Sequence, residues 1–264
     1  QCVTDFSALQ RRTKSPNNPP SKKGITCLLD VEEGKSLGFA QAAYNIVINN
    51  LVDLENSHPT LSFDFEGKTI ALHPNAVESL DRDLRSLHAS GMQVTGVLLN
   101  LVSKTTPSTS PLLHPLTNPK SITTGVAAFN TSTAEGLFYF RAILSWLVDR
   151  YTRKDAKYGA LAGLVIGNEI QSHWSWYHLG AVEPDVVLNE YTTALRIADL
   201  STRSIHSDFP IYVSLEHHWT MPADKNRSRG FNAVEALEGI NSRAKLEGDF
   251  PWNLAFHPYP ENLG

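Results

Sequence analysis

The residues best suited to chemistry begin in one stretch near the middle of the chain. Residues 161–176 read LAGLVIGNEIQSHWSW and change from an apolar run to polar and aromatic residues. The apolar run between Gly163 and Gly167 predicts a short strand buried in a parallel sheet. Asn168 and Glu169 follow it, at the strand end where parallel α/β folds bind their ligands. A carboxylate there either acts on a substrate or is structural, paired with a neighbouring Arg or Lys.

Two later strands are expected to bring further polar groups to the same edge. In the predicted fifth strand, Ile211–Leu215, alternation puts Glu216 and His218 on the face opposite Val213 and Leu215. In the predicted sixth strand, Trp252–Phe256, the same alternation turns His257 and Tyr259 inward. Polar residues also end the predicted first and third strands, and we expect them to contact a substrate: Asp30 and Asn100.

These motifs resemble those of a known family. An Asn-Glu pair closing a buried strand in a chain of βα repeats resembles the fourth strand of the retaining glycoside hydrolases of clan A, which are TIM barrels. The resemblance implies that Glu169 is the general acid/base and that Asn168 holds a sugar 2-hydroxyl. The His257-x-Tyr259 pattern is similar to clan A residues that lie near the nucleophile. Three segments together resemble an uncharacterised bacterial group of clan-A-like barrels with no known substrate: GNEIQSHWSW, SLEHHW and FPWNLAFHPYPENL.

Glycosidic cleavage explains why two carboxylates are needed. One carboxyl group protonates the leaving oxygen while a second acts from the other face of the sugar, roughly 5 to 5.5 Å away in retaining enzymes. In clan A the nucleophile is a Glu on strand seven, so the resemblance places it beyond Gly264. We interpret Glu216 as a substrate contact or a supporting residue rather than as the nucleophile.

Aromatic and histidine residues allow several interpretations. Trp174 and Trp219 follow strand ends, where an indole face can stack on a sugar ring, although a Trp is more often part of a core. His217, His218 and His257 could be metal ligands. Adjacent histidines on a strand point to opposite faces, so at most one of the first two would join an inward site. We therefore expect neither a metal nor another cofactor.

The coarse order of elements favours a TIM barrel. Residues 1–23 are predicted to form an extended arm, and residues 24–264 a partial (β/α)8 barrel that supplies about the first six βα units. A helix is predicted over Leu37–Leu54, and Leu61–Leu72 is predicted to be a hairpin or a second strand with an extension. The predicted strands end with the sixth, so we expect the polypeptide to continue beyond Gly264 or a second chain to complete the barrel.

Composition narrows the choice of partners. The formal net charge is −4 and the sequence pI is about 6.2, which argues against a nucleic-acid partner. No apolar run approaches the roughly 18 residues of a membrane helix. Cys2 and Cys27 are a disulfide or two free thiols.

The expected function is therefore hydrolysis of an oligo- or polysaccharide, at an extracellular or periplasmic location. Two alternatives stay open: a carbohydrate-binding barrel without catalysis, and a metal-dependent hydrolase.

Overall fold

The structure is a computed structural model that describes residues 6–7, 9–13, 19–26, 30–57 and 60–259. Cys2 and Cys27 lie outside the described residues, so their pairing stays open. The chain divides into two compact units. The first comprises Gln1–Val97, Ala142–Leu164 and Leu200–Phe209, and the second comprises Leu98–Arg141, Val165–Asp199 and Pro210–Gly264.

The first unit contains the beginning of the parallel sheet, with strands in the order β1-β2-β5-β7. Its elements are β1 (Gly24–Thr26), α1 (Val31–Ser36), β2 (Gln41–Val47), α2 (Ile48–Leu51), β3 (Ser62–Phe65), β4 (Lys68–Ala71), α3 (Pro74–Ala89), the start of β5 (Gln93–Leu101), most of α4 (Ala134–Tyr151) and the start of β7 (Gly163–Ile166). Main-chain hydrogen bonds join Gln93 to Ala40 and Ala162 to Val94. In the N-terminal segment, Arg12 forms main-chain bonds with Ile205 and Ser207.

The second sheet strand lies where the sequence predicted a helix. Residues 41–47 form β2, which pairs in parallel with β1, so the predicted helix over Leu37–Leu54 is wrong. Tyr44, Ile46 and Val47 are aromatic or β-branched residues that favour strands. The misleading helical spacing arises because α2 follows β2 directly and adds Ile48 and Leu51 to the pattern.

The segment Leu61–Leu72 forms the predicted hairpin, in a two-stranded sheet of its own. Strands β3 and β4 are antiparallel, with Phe65 opposite Lys68. Glu66 and Gly67 at the turn have φ angles of 47° and 77°, the left-handed pair that a tight hairpin turn requires.

The second unit contains the end of the sheet, with strands in the order β5-β7-β8-β9. It holds the ends of β5 and β7, the start of α4, most of α6 (Pro184–Arg203), and β6 (Val126–Ala127), α5 (His173–Trp176), β8 (Ile211–Glu216), α7 (Ala233–Leu246) and β9 (Asn253–His257). Short 3₁₀ turns lie at Pro119–Ser121 and Ile170–Ser172. Strands β8 and β9 run parallel, with Glu216 opposite His257.

The long segment after β5 packs against the end of that strand. Strand β6 pairs antiparallel with the end of β5, and a small core of four buried residues lies beneath the segment: Val102, Leu113, Ile122 and Ala127. Asn100 fixes it further, because its Nδ2 donates to the carbonyls of Leu112 and Ala128, both at 2.8 Å.

Six parallel strands that alternate with helices are the repeat of a partial TIM barrel, which confirms the predicted fold class. The set of six differs from the predicted set in its second member, which is β2 rather than the hairpin. None of the helices among the described residues is long and apolar enough to cross a membrane.

Candidate functional site

The turn after β7 places Glu169 in an unusual backbone conformation. Gly167 has a φ of 75°, and a Cβ there would lie 2.8 Å from the ring of Tyr177, so only glycine fits. Two residues later Glu169 has a φ of 43° and a ψ of 56°. A left-handed non-glycine residue costs about 1–3 kcal/mol, and such residues cluster at functional sites.

The carboxylate of Glu169 is buried and held by two donors. Its residue is 4% exposed. His257 Nδ1 and the Tyr259 hydroxyl each lie 2.7 Å from Oε1. Within the described part of the chain, Oε2 forms no hydrogen bond, so this oxygen is available to a bound molecule.

A third residue, Ser214, contacts both Glu169 and His257. The main-chain N–H of Glu169 donates to Ser214 Oγ at 3.0 Å, and that oxygen lies 3.5 Å from His257 Nε2. These contacts fit a His257 tautomer that carries its proton on Nδ1, donates it to Glu169 and leaves Nε2 as an acceptor. Ser214 therefore supports both the backbone of Glu169 and the imidazole that contacts its side chain.

The electrostatics around Tyr259 keep its hydroxyl protonated. Burial, the hydrogen bond to Glu169 and the negative charges of Glu169 and Glu216 together raise the Tyr259 pKa to about 12. The phenol is consequently a donor throughout the neutral range.

A second buried carboxylate lies at the end of β8. Glu216 is 3% exposed. Its Oε1 accepts from Ser172 Oγ at 3.0 Å, and its Oε2 accepts from the His218 main chain at 3.1 Å. His218 Nδ1 lies 2.7 Å and His217 Nδ1 lies 2.6 Å from Oε2.

Both adjacent histidines thus reach Glu216, and the expectation that at most one would do so is wrong. The alternation rule fails because β8 ends at Glu216, so His217 and His218 are not strand residues. Among the described residues, Glu216, His217 and His218 form the group whose ligand atoms converge as at a metal site, all within 4.8 Å of one another.

A cavity of about 420 Å³ joins the two carboxylates, a size within the range of small-molecule sites. Its lining includes most of the predicted site on β7, β8 and β9: Glu169, Ser172, Trp174, Ser175, Trp176, Glu216, His217, His218, Ala223, Asp224, Arg229 and Tyr259. The predicted residues Glu169, Glu216, His218, Tyr259 and Trp174 therefore share one cavity.

The two tryptophans expected to stack on sugar differ in position. Trp174 lines the cavity, with the Arg229 guanidinium 4.6 Å from its ring centroid. Trp219 is 43% exposed and packs edge-to-face on Phe256, with ring centroids 5.6 Å apart. It does not belong to the cavity lining formed by the described residues.

His257 contacts Glu169 but is not among the described residues that line the cavity. Three further predicted residues are not among them either. Asn168 is half-buried beside Glu169. Asn100 is fully buried; its Nδ2 donates to the segment after β5, whereas its Oδ1 has no hydrogen-bond partner among the described residues. Asp30 caps α1 in the first unit by accepting from Glu33 N at 3.0 Å. A substrate contact by any of the three stays a prediction.

The sequence did not single out Ser172, Ser214 or Arg229. Ser214 was recoverable, because it shares the inward face of β8 with Glu216. Ser172 and Arg229 lie outside the strands, where alternation gives no information on direction.

Beneath the site, His173 is a fully buried histidine. Its Nε2 lies 3.0 Å from the Ser228 carbonyl, while its buried Nδ1 has no hydrogen-bond partner. Burial lowers the His173 pKa to about 4 against the opposing effect of the Ser228 contact. The ring is therefore neutral near pH 7, with its proton on Nε2.

Nearly the whole sequence matches a single family. Residues 15–264 fit the model of a family of unknown function, DUF5722. The chain belongs to the DUF5722 family. A search of curated proteins found no relative of this DUF5722 chain.

Several solved structures are similar to this DUF5722 member at low identity. Endoglucanase Cel5A from Thermotoga maritima is 13% identical with a TM-score of 0.46, covering 89% of this chain and 58% of its own. A monomeric β-xylosidase from Caulobacter crescentus CB15 is 12% identical with a TM-score of 0.48, and the match covers 90% of this chain and 41% of the xylosidase. A family 1 β-glucosidase from T. maritima is 13% identical with a TM-score of 0.43, and the match covers 74% of this chain and 38% of the glucosidase.

The chain thus spans less than two thirds of the length of these solved chains.

Proposed function

We propose that this chain contributes the general acid/base residue of a retaining glycoside hydrolase that acts on an oligo- or polysaccharide. The observation that carries the proposal is the geometry of Glu169. Glu169 lies at the carboxyl end of a sheet strand with a left-handed backbone, its buried carboxylate is fixed by two donors on Oε1, and the residue lines a cavity.

Glu169 performs two proton transfers in this proposal. As the bond between the anomeric carbon and the leaving oxygen breaks, Glu169 gives its proton to that oxygen while a nucleophilic carboxylate forms the glycosyl-enzyme bond. Glu169 then takes a proton from the water that hydrolyses this intermediate. Because Oε1 already accepts from His257 and Tyr259, the transferred proton resides on Oε2.

Glu216 is not assigned as the nucleophile. Both oxygens of Glu216 accept hydrogen bonds, from Ser172 and from His218. These hydrogen bonds favour a role for Glu216 in contacting the substrate or in supporting the site, rather than a role as the nucleophile that attacks the anomeric carbon.

The remaining polar and aromatic groups contact the sugar. We assign Trp174 as a stacking surface and His218, with Glu216, as polar contacts, since all three line the cavity. His257 and Tyr259 orient Glu169, and Tyr259 also lines the cavity. Asn168 is assigned to a sugar hydroxyl because it directly precedes Glu169.

Glu169→Gln in the full-length protein tests the proposal against a panel of nitrophenyl and natural oligosaccharide substrates. The variant keeps an oxygen for His257 and Tyr259 but cannot release a proton. We expect turnover of natural oligosaccharides to fall at least 1,000-fold with oligosaccharide binding retained, in keeping with the 10²–10⁴-fold contribution of general acid–base catalysis.

Glu238→Gln, at an exposed position on α7, is the matched control and is expected to keep full turnover. Unchanged turnover in E169Q overturns the assignment. Binding of sugars without cleavage by the wild-type protein identifies a carbohydrate-binding barrel instead.

A further inference from the structure

We propose that Glu216, His217 and His218 form a binding site for a divalent transition-metal ion of the zinc type. The potential ligand atoms are one carboxylate oxygen and the two Nδ1 atoms, all within 4.8 Å of one another. They lie on three consecutive residues that begin with the last residue of β8, and all three line the cavity. This site goes beyond the proposed hydrolysis, which uses Glu169.

The strongest indication is the Nδ1 atom of His217. It is buried and has no hydrogen-bond partner, although Glu216 Oε2 lies only 2.6 Å away. The short distance therefore lacks hydrogen-bond geometry. A buried polar atom without a partner is costly, and a bound cation would satisfy it.

The arrangement of the His217 and His218 rings beside the Glu216 carboxylate also favours a bound cation. The His217 and His218 rings have centroids 4.1 Å apart and an interplanar angle of 40°. The two rings therefore lie close enough together to bind one ion between them. A neutral imidazole is a metal ligand, and the adjacent carboxylate supplies negative charge.

The donor set selects the class of ion. Two imidazoles and a carboxylate suit Zn²⁺, Co²⁺, Ni²⁺ or Cu²⁺, whereas Mg²⁺ and Ca²⁺ prefer oxygen ligands. Three protein ligands on a cavity wall leave a coordination position for water or a bound molecule.

Metal binding must also displace an existing contact. His218 Nδ1 lies 2.7 Å from Glu216 Oε2, whereas ligands around a tetrahedral zinc ion with bonds of about 2.0–2.1 Å are roughly 3.3 Å apart. The ion replaces the proton that His218 shares with Glu216, and the three ligands move apart by about half an ångström. Binding is therefore expected to release about one proton and to weaken at acidic pH.

The site borders the group proposed for catalysis. The His217 and Tyr259 rings have centroids 5.7 Å apart, and Tyr259 donates to Glu169. A bound ion would occupy the same cavity, so Zn²⁺ is expected to alter sugar binding there.

The test uses the full chain, stripped with a chelator and then titrated with Co²⁺ or Zn²⁺ in the absence of sugar. We expect one equivalent to bind, with a Co²⁺ visible spectrum typical of a low-coordinate site and heat that depends on the buffer through proton release. His217→Ala and His218→Ala should each weaken binding at least tenfold, whereas His88→Ala on the exposed side of α3 should not.

A second readout does not depend on variants. Zn²⁺ should protect His217 and His218 of the wild-type chain from diethylpyrocarbonate, since their side chains are 24% and 34% exposed. Absence of saturable binding in the wild-type chain, or equal affinity in the histidine variants, overturns the metal site. Neither result bears on Glu169, whose role is tested by turnover of E169Q.

Discussion

Ser214 Oγ accepts a hydrogen bond at 3.0 Å from the main-chain N–H of Glu169, the residue that adopts a φ of 43° at the end of β7. The left-handed conformation aims this N–H at the neighbouring strand β8, whose inward face presents Ser214. A strained backbone persists only when its surroundings fix it. This bond is therefore central to the position of the Glu169 carboxylate.

Ser214→Ala should destabilise the protein. Ser214 is fully buried, so the variant leaves the Glu169 N–H without its acceptor, at a cost of about 1–3 kcal/mol. Urea unfolding measures the loss, and Ser242→Ala on the exposed face of α7 serves as the control, with a change within about 0.5 kcal/mol. Equal stability of S214A and the wild type would show that the bond does not hold the turn.

Tyr259→Phe should lower turnover without unfolding the protein. It removes one of two donors on Glu169 Oε1, and a hydrogen bond to a charged group contributes about 1.5–3 kcal/mol. We expect kcat/KM to fall roughly tenfold to a hundredfold.

The dependence of kcat/KM on pH in the alkaline range gives a second check on the role of Tyr259. Because the Tyr259 pKa is raised to about 12, the phenol stays a donor up to strongly alkaline pH. The kcat/KM profile of the wild type should show no loss due to Tyr259 between pH 7 and about pH 10. A Tyr259-dependent loss near neutral pH would contradict this role.

Trp174→Ala should weaken sugar binding more than Trp219→Ala. Trp174 lines the cavity, whereas Trp219 packs on Phe256 outside the described lining. Titration with oligosaccharides that bind the wild type measures the difference. We expect at least a tenfold loss of affinity for W174A and less than a threefold loss for W219A, and the reverse order would move the sugar site towards Trp219.

His173 should make stability depend on pH in the acidic range. Its pKa is about 4 in the folded protein and about 6.5 in the unfolded chain, so the unfolded chain binds more protons between these values. The free energy of unfolding therefore falls as the pH decreases from about 6.5 to 4, by up to about 1.4 kcal/mol per pH unit from this group.

His173→Gln keeps a donor for the Ser228 carbonyl and removes the titration. Urea unfolding at several pH values should show a shallower decline for H173Q than for the wild type. Some decline will remain, because burial also lowers the pKa of His114 and of His178. Parallel curves for H173Q and the wild type would rule out the buried ring as a source of the decline.

Secondary structure was predicted well from the sequence wherever a single hydrophobic periodicity extended over the whole segment. Strand β7 is an unbroken apolar run between glycines, and it is found within its predicted bounds. The prediction fails over residues 37–54 because a strand and a short helix follow one another directly there, and no single period extends over the segment.

At the site, alternation along β8 and β9 correctly grouped Glu216, His257 and Tyr259 around the strand ends. It failed one residue beyond β8, where His217 turns back to Glu216. The left-handed backbone of Glu169 and the contribution of Ser214 depend on the pairing of distant segments, which a single sequence does not reveal. Asn100 lies at the strand end where the sequence placed it, and its Nδ2 also holds the segment after β5, a role that the strand pattern does not reveal.

The most direct test of the central claim is azide rescue of Glu169→Ala in the full-length protein. The substrates are dinitrophenyl glycosides of both anomeric forms, whose leaving group departs without protonation. If Glu169 is the acid/base of a retaining enzyme, the variant should form the glycosyl-enzyme but hydrolyse it slowly, and azide should restore turnover and yield a glycosyl azide of retained configuration. Azide that gives no rescue, or a glycosyl azide of inverted configuration, would contradict the acid/base assignment.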